Sequence, residues 1–224
     1  MRCKMPNSQT YAPQCPTFNV LLAILLMLAY VGMSPSAAAK PVKILAFGDS
    51  LTAGYGLDEK DGFTKQLARA LRRDGFDARV LNAGVSGDTS AGGLARTDWV
   101  MQAKPDLVIL ELGANDGLRG LDPVDTKRNL DAIIRRIRAT GSVLLLAGMR
   151  APPNLGDDYG KAFNSIFPAL AKAHKVAFYP FFLDRVAADP ALNQADGIHP
   201  NAKGVAVIVA GILPVVKGAL ETVR

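Results

Sequence analysis

Five short runs of mostly apolar residues recur along the chain: Val42–Phe47, Ala78–Asn82, Leu107–Leu112, Ser142–Gly148 and Val176–Tyr179. The central ones, such as Leu107-Val108-Ile109-Leu110, are apolar at every position. A strand of that kind has both faces covered. Between the runs lie longer stretches with apolar residues at helical spacing. Phe63, Leu67 and Leu71 mark the first, and Gly92 to Met101 the second. Val124 to Ala139 is the third, with Leu130, Ile133, Ile134 and Ile137 on one face. Ala162 to His174 is the fourth, and Lys203 to Thr222, with a bend at Pro214, the last. Strand and helix in alternation imply a parallel sheet with right-handed crossovers. The pattern predicts one three-layer α/β domain over residues 40–224.

The first 39 residues are of another kind. Arg2 and Lys4 precede a polar stretch, an apolar run from Phe18 to Val31, and Ser36-Ala37-Ala38-Ala39. The run is short for a membrane span of about 20 residues, and small residues stand where a signal peptidase would cut after Ala39. This pattern predicts a signal peptide over 1–39 and a periplasmic or secreted product. A retained, membrane-tethering segment is the alternative. Cys3 and Cys15 both lie in this segment. The mature chain would have no thiol, which excludes cysteine nucleophiles and cysteine-held metal and suits an oxidising compartment. Removing Arg2 and Lys4 from the formal charge of +6 leaves +4. The cations are dispersed, and no basic stripe interleaved with aromatics argues for nucleic acid. A weak attraction to anionic membrane surfaces is compatible with the charge.

Polar or glycine motifs follow successive strands. Ser50 comes after the first, in Gly48-Asp49-Ser50-Leu51. Gly84 comes after the second, in Asn82-Ala83-Gly84-Val85-Ser86-Gly87-Asp88. Asn115 comes after the third, in Gly113-Ala114-Asn115-Asp116. In a parallel sheet these share one edge, where ligands bind. Asp196 and His199 follow the fifth strand, in Asp196-Gly197-Ile198-His199. A serine hydroxyl needs a base within hydrogen-bond reach, and imidazole titrates in the right range. A carboxylate three residues earlier can hold the other ring nitrogen. The backbone N–H groups of Ser50 and Gly84 and the amide of Asn115 are the candidate donors to an oxyanion. Asp49 is expected to hydrogen-bond within the cleft loops.

These blocks resemble those of the SGNH (GDSL) hydrolases, and serine, glycine, asparagine and histidine stand in that family's order. Asn82 to Arg96, Leu112 to Gly120 and Asp196 to Asn201 are similar to its secreted single-domain thioesterase, lysophospholipase and arylesterase branch. The resemblance implies a flavodoxin-like sheet, no metal or other cofactor, and broad esterase activity on acyl esters and thioesters. It implies Ser50 as nucleophile, His199 as base and Asp196 as its orienting acid. The partner is then a small acyl ester or lipid, and no obligate protein partner is implied. The sequence Gly48-Asp49-Ser50-Leu51-Thr52 lacks the Gly-x-Ser-x-Gly of α/β-hydrolases. A carbohydrate O-acetylesterase and a non-catalytic binding protein on the same fold remain alternatives. Leu118, Leu121, Ala151 and Pro152 are expected to wall the acyl site. His174, the other histidine, ends a helix, where a cation complements the dipole.

Overall fold

The computed structural model of the chain describes residues 40–223. The signal-peptide expectation for residues 1–39 lies outside them. Five strands form one parallel sheet: β1 (Val42–Gly48), β2 (Ala78–Gly84), β3 (Leu107–Glu111), β4 (Val143–Ala147) and β5 (Ala177–Tyr179), in the order β2-β1-β3-β4-β5. Among the helices, α1 (Ser50–Ala53) and α2 (Phe63–Arg73) follow β1, and α3 (Ser90–Met101) follows β2. Next come α4 (Ala114–Leu118), α5 (Pro123–Ala139), α6 (Asp157–Asn164), α7 (Ile166–His174) and α8 (Ala202–Leu220).

The chain steps from β1 to β2 in one direction and from β2 onward in the other. Right-handed crossovers therefore put α2 on the opposite face from α3, α5 and α7. The packing agrees: α2 lies against α8, α3 against α5, and α5 against α7. Ile44, Phe47, Leu107, Val108, Ile109, Leu110 and Leu145 are all fully buried. Their continuous apolar character is what this two-sided burial demands. At about 1.5–3 kcal/mol for each fully buried aliphatic or aromatic side chain, these strands form the strongest part of the core. The edge strand β2 is only partly buried along its length, with Arg79 and Asn82 exposed.

One helical expectation is revised. The stretch Ala162–His174 is two helices, broken at Ser165. Pro168 has no N–H for the Asn164 carbonyl and its ring crowds that oxygen, which favours a break one turn ahead of it. The last helix, by contrast, runs from Ala202 to Leu220 through Pro214. Pro214 and Ala210 both lie on the exposed side, so the carbonyl that loses its partner faces water. His174 does more than complement a dipole: its Nε2 lies 2.6 Å from Asp131 Oδ1 and joins α7 to α5.

Candidate active site

The order β2-β1-β3 makes the carboxyl ends of β1 and β3 the point where the winding reverses, and a crevice opens there. Asp49 follows β1 and caps α1, its Oδ1 accepting the Leu51 N–H at 3.0 Å. Ser50 is the first residue of that short helix and is nearly buried. Its Oγ lies 3.0 Å from Nε2 of His199, a residue 149 positions away. His199 Nδ1 is 2.7 Å from Asp196 Oδ2. The other carboxylate oxygen of Asp196 accepts the N–H groups of Ile198 and His199, both at 3.0 Å. The His199 N–H, the imidazole and the Ile198 N–H together hold the Asp196 carboxyl down at about 2. It is ionised at neutral pH, keeps a proton on Nδ1, and leaves Nε2 to face the serine hydroxyl.

The crevice has a volume of about 440 Å³. Ser50, Asn115 and His199 line it, and Leu118, Ala151 and Pro152 stand in its walls. Leu121 does not: it lies off the cavity in the turn after α4, where its carbonyl accepts the Tyr159 hydroxyl. Gly84 is also displaced from its expected place. Its N–H is taken by Asn82 Oδ1 at 2.9 Å. A Cβ at Gly84 would collide with the backbone of Ala53 and Asp49, so glycine there lets α1 sit close on β2. Gly87, three residues on, lines the crevice with φ +81°. Among the described residues its N–H meets no acceptor, and the same holds for the Ser50 N–H. Two glycines three residues apart read alike in sequence, but Gly84 closes β2 with its N–H taken while Gly87 lies in the loop beyond with its N–H without an acceptor.

Asn115 comes from α4, which starts after the left-handed Gly113 at φ +114°. Its Nδ2 donates to the Asp88 carbonyl at 2.9 Å and to Asp49 Oδ2 at 3.2 Å. Arg96 secures this corner. Its guanidinium donates to Asp88 Oδ2 at 2.7 Å and to the Ala83 and Gly48 carbonyls at 2.8 Å. Beneath Ser50 lies Glu111, fully buried, whose Oε2 accepts the Thr52 hydroxyl at 2.7 Å. Its Oε1 meets no partner among the described residues. Burial, and then the charge of Asp49, push the Glu111 carboxyl well up. Burial also raises Asp49 to about 6, against the opposing hydrogen bonds of Leu51 and Asn115. Arg96 and Glu111 belong to none of the sequence motifs that mark the site, although a lone carboxyl in an otherwise apolar strand is a readable signal.

A serine, a histidine and a carboxylate in hydrogen-bonded series, at the winding switch of an α/β sheet, define a serine-type hydrolase. Comparison with known proteins narrows the class. Residues 46–207 match the GDSL-like lipase/acylhydrolase family. Esterase TesA of Pseudomonas aeruginosa is 42% identical over 194 residues, which is 86% of this chain and 96% of that protein. Thioesterase 1/protease 1/lysophospholipase L1 of Escherichia coli K12 is 41% identical over 167 residues, 73% of this chain and 78% of that one. The crystal structure of TesA aligns with a TM-score of 0.76 at 42% identity, covering 79% of this chain and 99% of the other. The chain belongs to the GDSL-like (SGNH) lipase/acylhydrolase family and is a carboxylic ester hydrolase.

Proposed function

We propose that Ser50, His199 and Asp196 carry out hydrolysis of acyl esters through an acyl-enzyme. Ser50 Oγ attacks the ester carbonyl carbon while His199 Nε2 takes the hydroxyl proton. The carbonyl electron pair moves to oxygen, and the N–H groups of Ser50 and Gly87 with the Asn115 amide receive that oxyanion. The longer of the two Asn115 bonds, the 3.2 Å one to Asp49, is the one substrate would displace. When the intermediate collapses, the bond to the leaving alkoxide or thiolate breaks, and the imidazolium returns its proton to that group. Water then repeats the sequence on the acyl-serine, with His199 again as base, releasing a carboxylic acid and Ser50. The observation that carries this reading is the 3.0 Å contact between Ser50 Oγ and His199 Nε2, with Asp196 at 2.7 Å behind it.

Wall residues such as Leu118, Ala151, Pro152, Phe181, Leu183 and Ile198 supply apolar surface and few hydrogen-bonding groups. That supports aryl esters, acyl thioesters and lysophospholipid-like esters over acetylated sugars, whose hydroxyls need polar partners. Ser50→Ala is expected to lose at least about a thousandfold in p-nitrophenyl ester turnover. A fluorophosphonate should label the wild type at Ser50 and not the variant; an unlabelled wild-type Ser50 overturns the assignment. A panel of acetyl, octanoyl and palmitoyl esters with acetylated xylan tests the substrate class. We also propose that residues 1–39 are a signal peptide cut after Ala39 and that residues 40–224 form the exported domain, which N-terminal sequencing of the exported protein checks.

A further inference from the structure

The contact between Ser50 and His199 joins two loops from opposite ends of the chain. Neither loop is long enough in regular structure to fix that distance alone: α1 has four residues, and Asp196–His199 is a turn. Gln194 bridges the two. Its backbone N–H donates to the His199 carbonyl at 2.7 Å. Its side-chain Nε2 donates to the Tyr55 carbonyl at 2.8 Å and to the Pro200 carbonyl at 3.0 Å. The amide thus spans 139 positions of sequence, and with the backbone N–H it holds the two carbonyls that follow the imidazole, those of His199 and Pro200. Gly56, at φ +71°, leaves the space in which Gln194 Oε1 sits, and a Cβ there would strike that oxygen. The ring of Tyr55 rests 4.6 Å from the imidazole of His199, tilted by 36°. His199 is therefore confined between Asp196, Tyr55 and Ser50, with Gln194 anchoring the two peptide units on its C-terminal side.

We propose that Gln194 is a positioning residue for the ester hydrolysis. Its amide pins the Asp196–His199 turn to the Tyr55–Gly56 backbone and so sets the imidazole against the serine hydroxyl. The proposal rests on the roles assigned above to Ser50 and His199. Gln194 does not touch the reacting atoms and is not itself one of the residues that line the crevice. An amide suits the place because both Nε2 contacts are donations to carbonyl oxygens. A carboxylate would turn lone pairs toward lone pairs. A displacement of about 1 Å in such a group costs on the order of a hundredfold in rate.

The test uses Gln194→Met, which keeps the bulk and removes the donors, and Gln194→Glu. Turnover of p-nitrophenyl butyrate is normalised to the sites that a fluorophosphonate labels, so unfolded protein does not count. For both variants at pH 8, kcat per labelled site should fall at least about fivefold with KM within about twofold, and the labelling rate should fall in parallel. Gln194→Glu should recover toward acid pH, because the Tyr55 and Pro200 carbonyls facing its carboxylate disfavour the charged form and raise the carboxyl above its ordinary value of about 4.3, returning one proton to donate. Its activity relative to wild type should be at least about threefold higher at pH 5.5 than at pH 8, while the Met ratio stays flat. A smaller fall per labelled site, or a Glu ratio that does not change with pH, overturns the role of Gln194 and leaves that of Ser50 intact. A wild type that takes no label at Ser50 overturns both.

Discussion

Two buried carboxyls beneath the serine couple folding to pH. Asp49 is raised to about 6 by burial, and Glu111 is raised well above the ordinary range by burial and by Asp49. Both folded values exceed the unfolded ones. Their stabilising contribution is therefore complete below about pH 4 and is lost as pH rises, through about 6 for Asp49 and higher for Glu111. Glu111→Gln removes the second share while its oxygen can still accept from Thr52. The stability of the variant relative to wild type should rise with pH, by no more than about 1.4 kcal/mol per pH unit. Thermal melts between pH 5 and 9 check this; a Tm difference that stays flat contradicts it. The side chains with scarce chemistry were legible in the sequence: with two histidines in the whole chain, His199 had little competition as the base. The glycine proposed as an oxyanion donor was not, because Gly84 and Gly87 differ in what a Cβ would meet and in whether the N–H is already taken, and neither is written in the residue type.

At the scale of the element, the helix that follows the triad turn holds that turn in place. Asn201 caps α8, its Oδ1 accepting the N–H groups of Lys203 at 2.9 Å and Gly204 at 3.1 Å. Its Nδ2 donates to the Ala191 and Asn193 carbonyls at 2.9 and 3.2 Å. One side chain thus closes the helix start and the loop that leads into His199. Asn201→Ala is expected to cost about 1–2 kcal/mol as a lost cap, or roughly 2–4 °C in Tm for each kcal/mol. Asn201→Asp keeps the acceptor and should restore most of that Tm. Its carboxylate cannot donate to the two carbonyls, so kcat should stay reduced; melting curves and kcat measured on both variants separate the two functions. The buried strands were readable because burial on both faces admits little but apolar residues. The break at Ser165 was masked, because the apolar spacing of Phe163, Ile166, Phe167 and Leu170 continues across it; its one written signal is Pro168, and Pro214 shows that a proline does not always end a helix.

At the scale of the molecule, the strand order gathers the loops after β1, β3 and β4 and the long segment after β5 at one edge. The near side of the crevice follows from motifs. The far side comes from residues 180–201, which lack any helical or strand period and keep their shape by anchoring. Phe182 and Val186 are fully buried, and Asn193 Nδ2 donates to the Val186 carbonyl at 2.7 Å and the Asp189 carbonyl at 2.8 Å. Apart from the Asp196–His199 motif, no pattern in the sequence announces that wall. Opposite it stands the loop of Met149 to Pro153, fixed by Asn164, whose Oδ1 accepts the Ala151 N–H at 2.8 Å from the end of α6. Arg150 lies over Phe181, its guanidinium 4.8 Å from the ring centre, and joins the two walls. A crevice held on both sides keeps its length when substrate enters, so acyl chains should be measured against it. Each methylene buried is worth about 0.8 kcal/mol, or roughly fourfold in kcat/KM, until the apolar surface is used up. For p-nitrophenyl esters kcat/KM should climb with chain length and then level off. Ala151→Leu narrows the wall and should bring the plateau to shorter chains, with octanoyl turnover falling at least about tenfold and acetyl turnover staying within about twofold. Equal losses on both esters would mean that the acyl chain lies elsewhere.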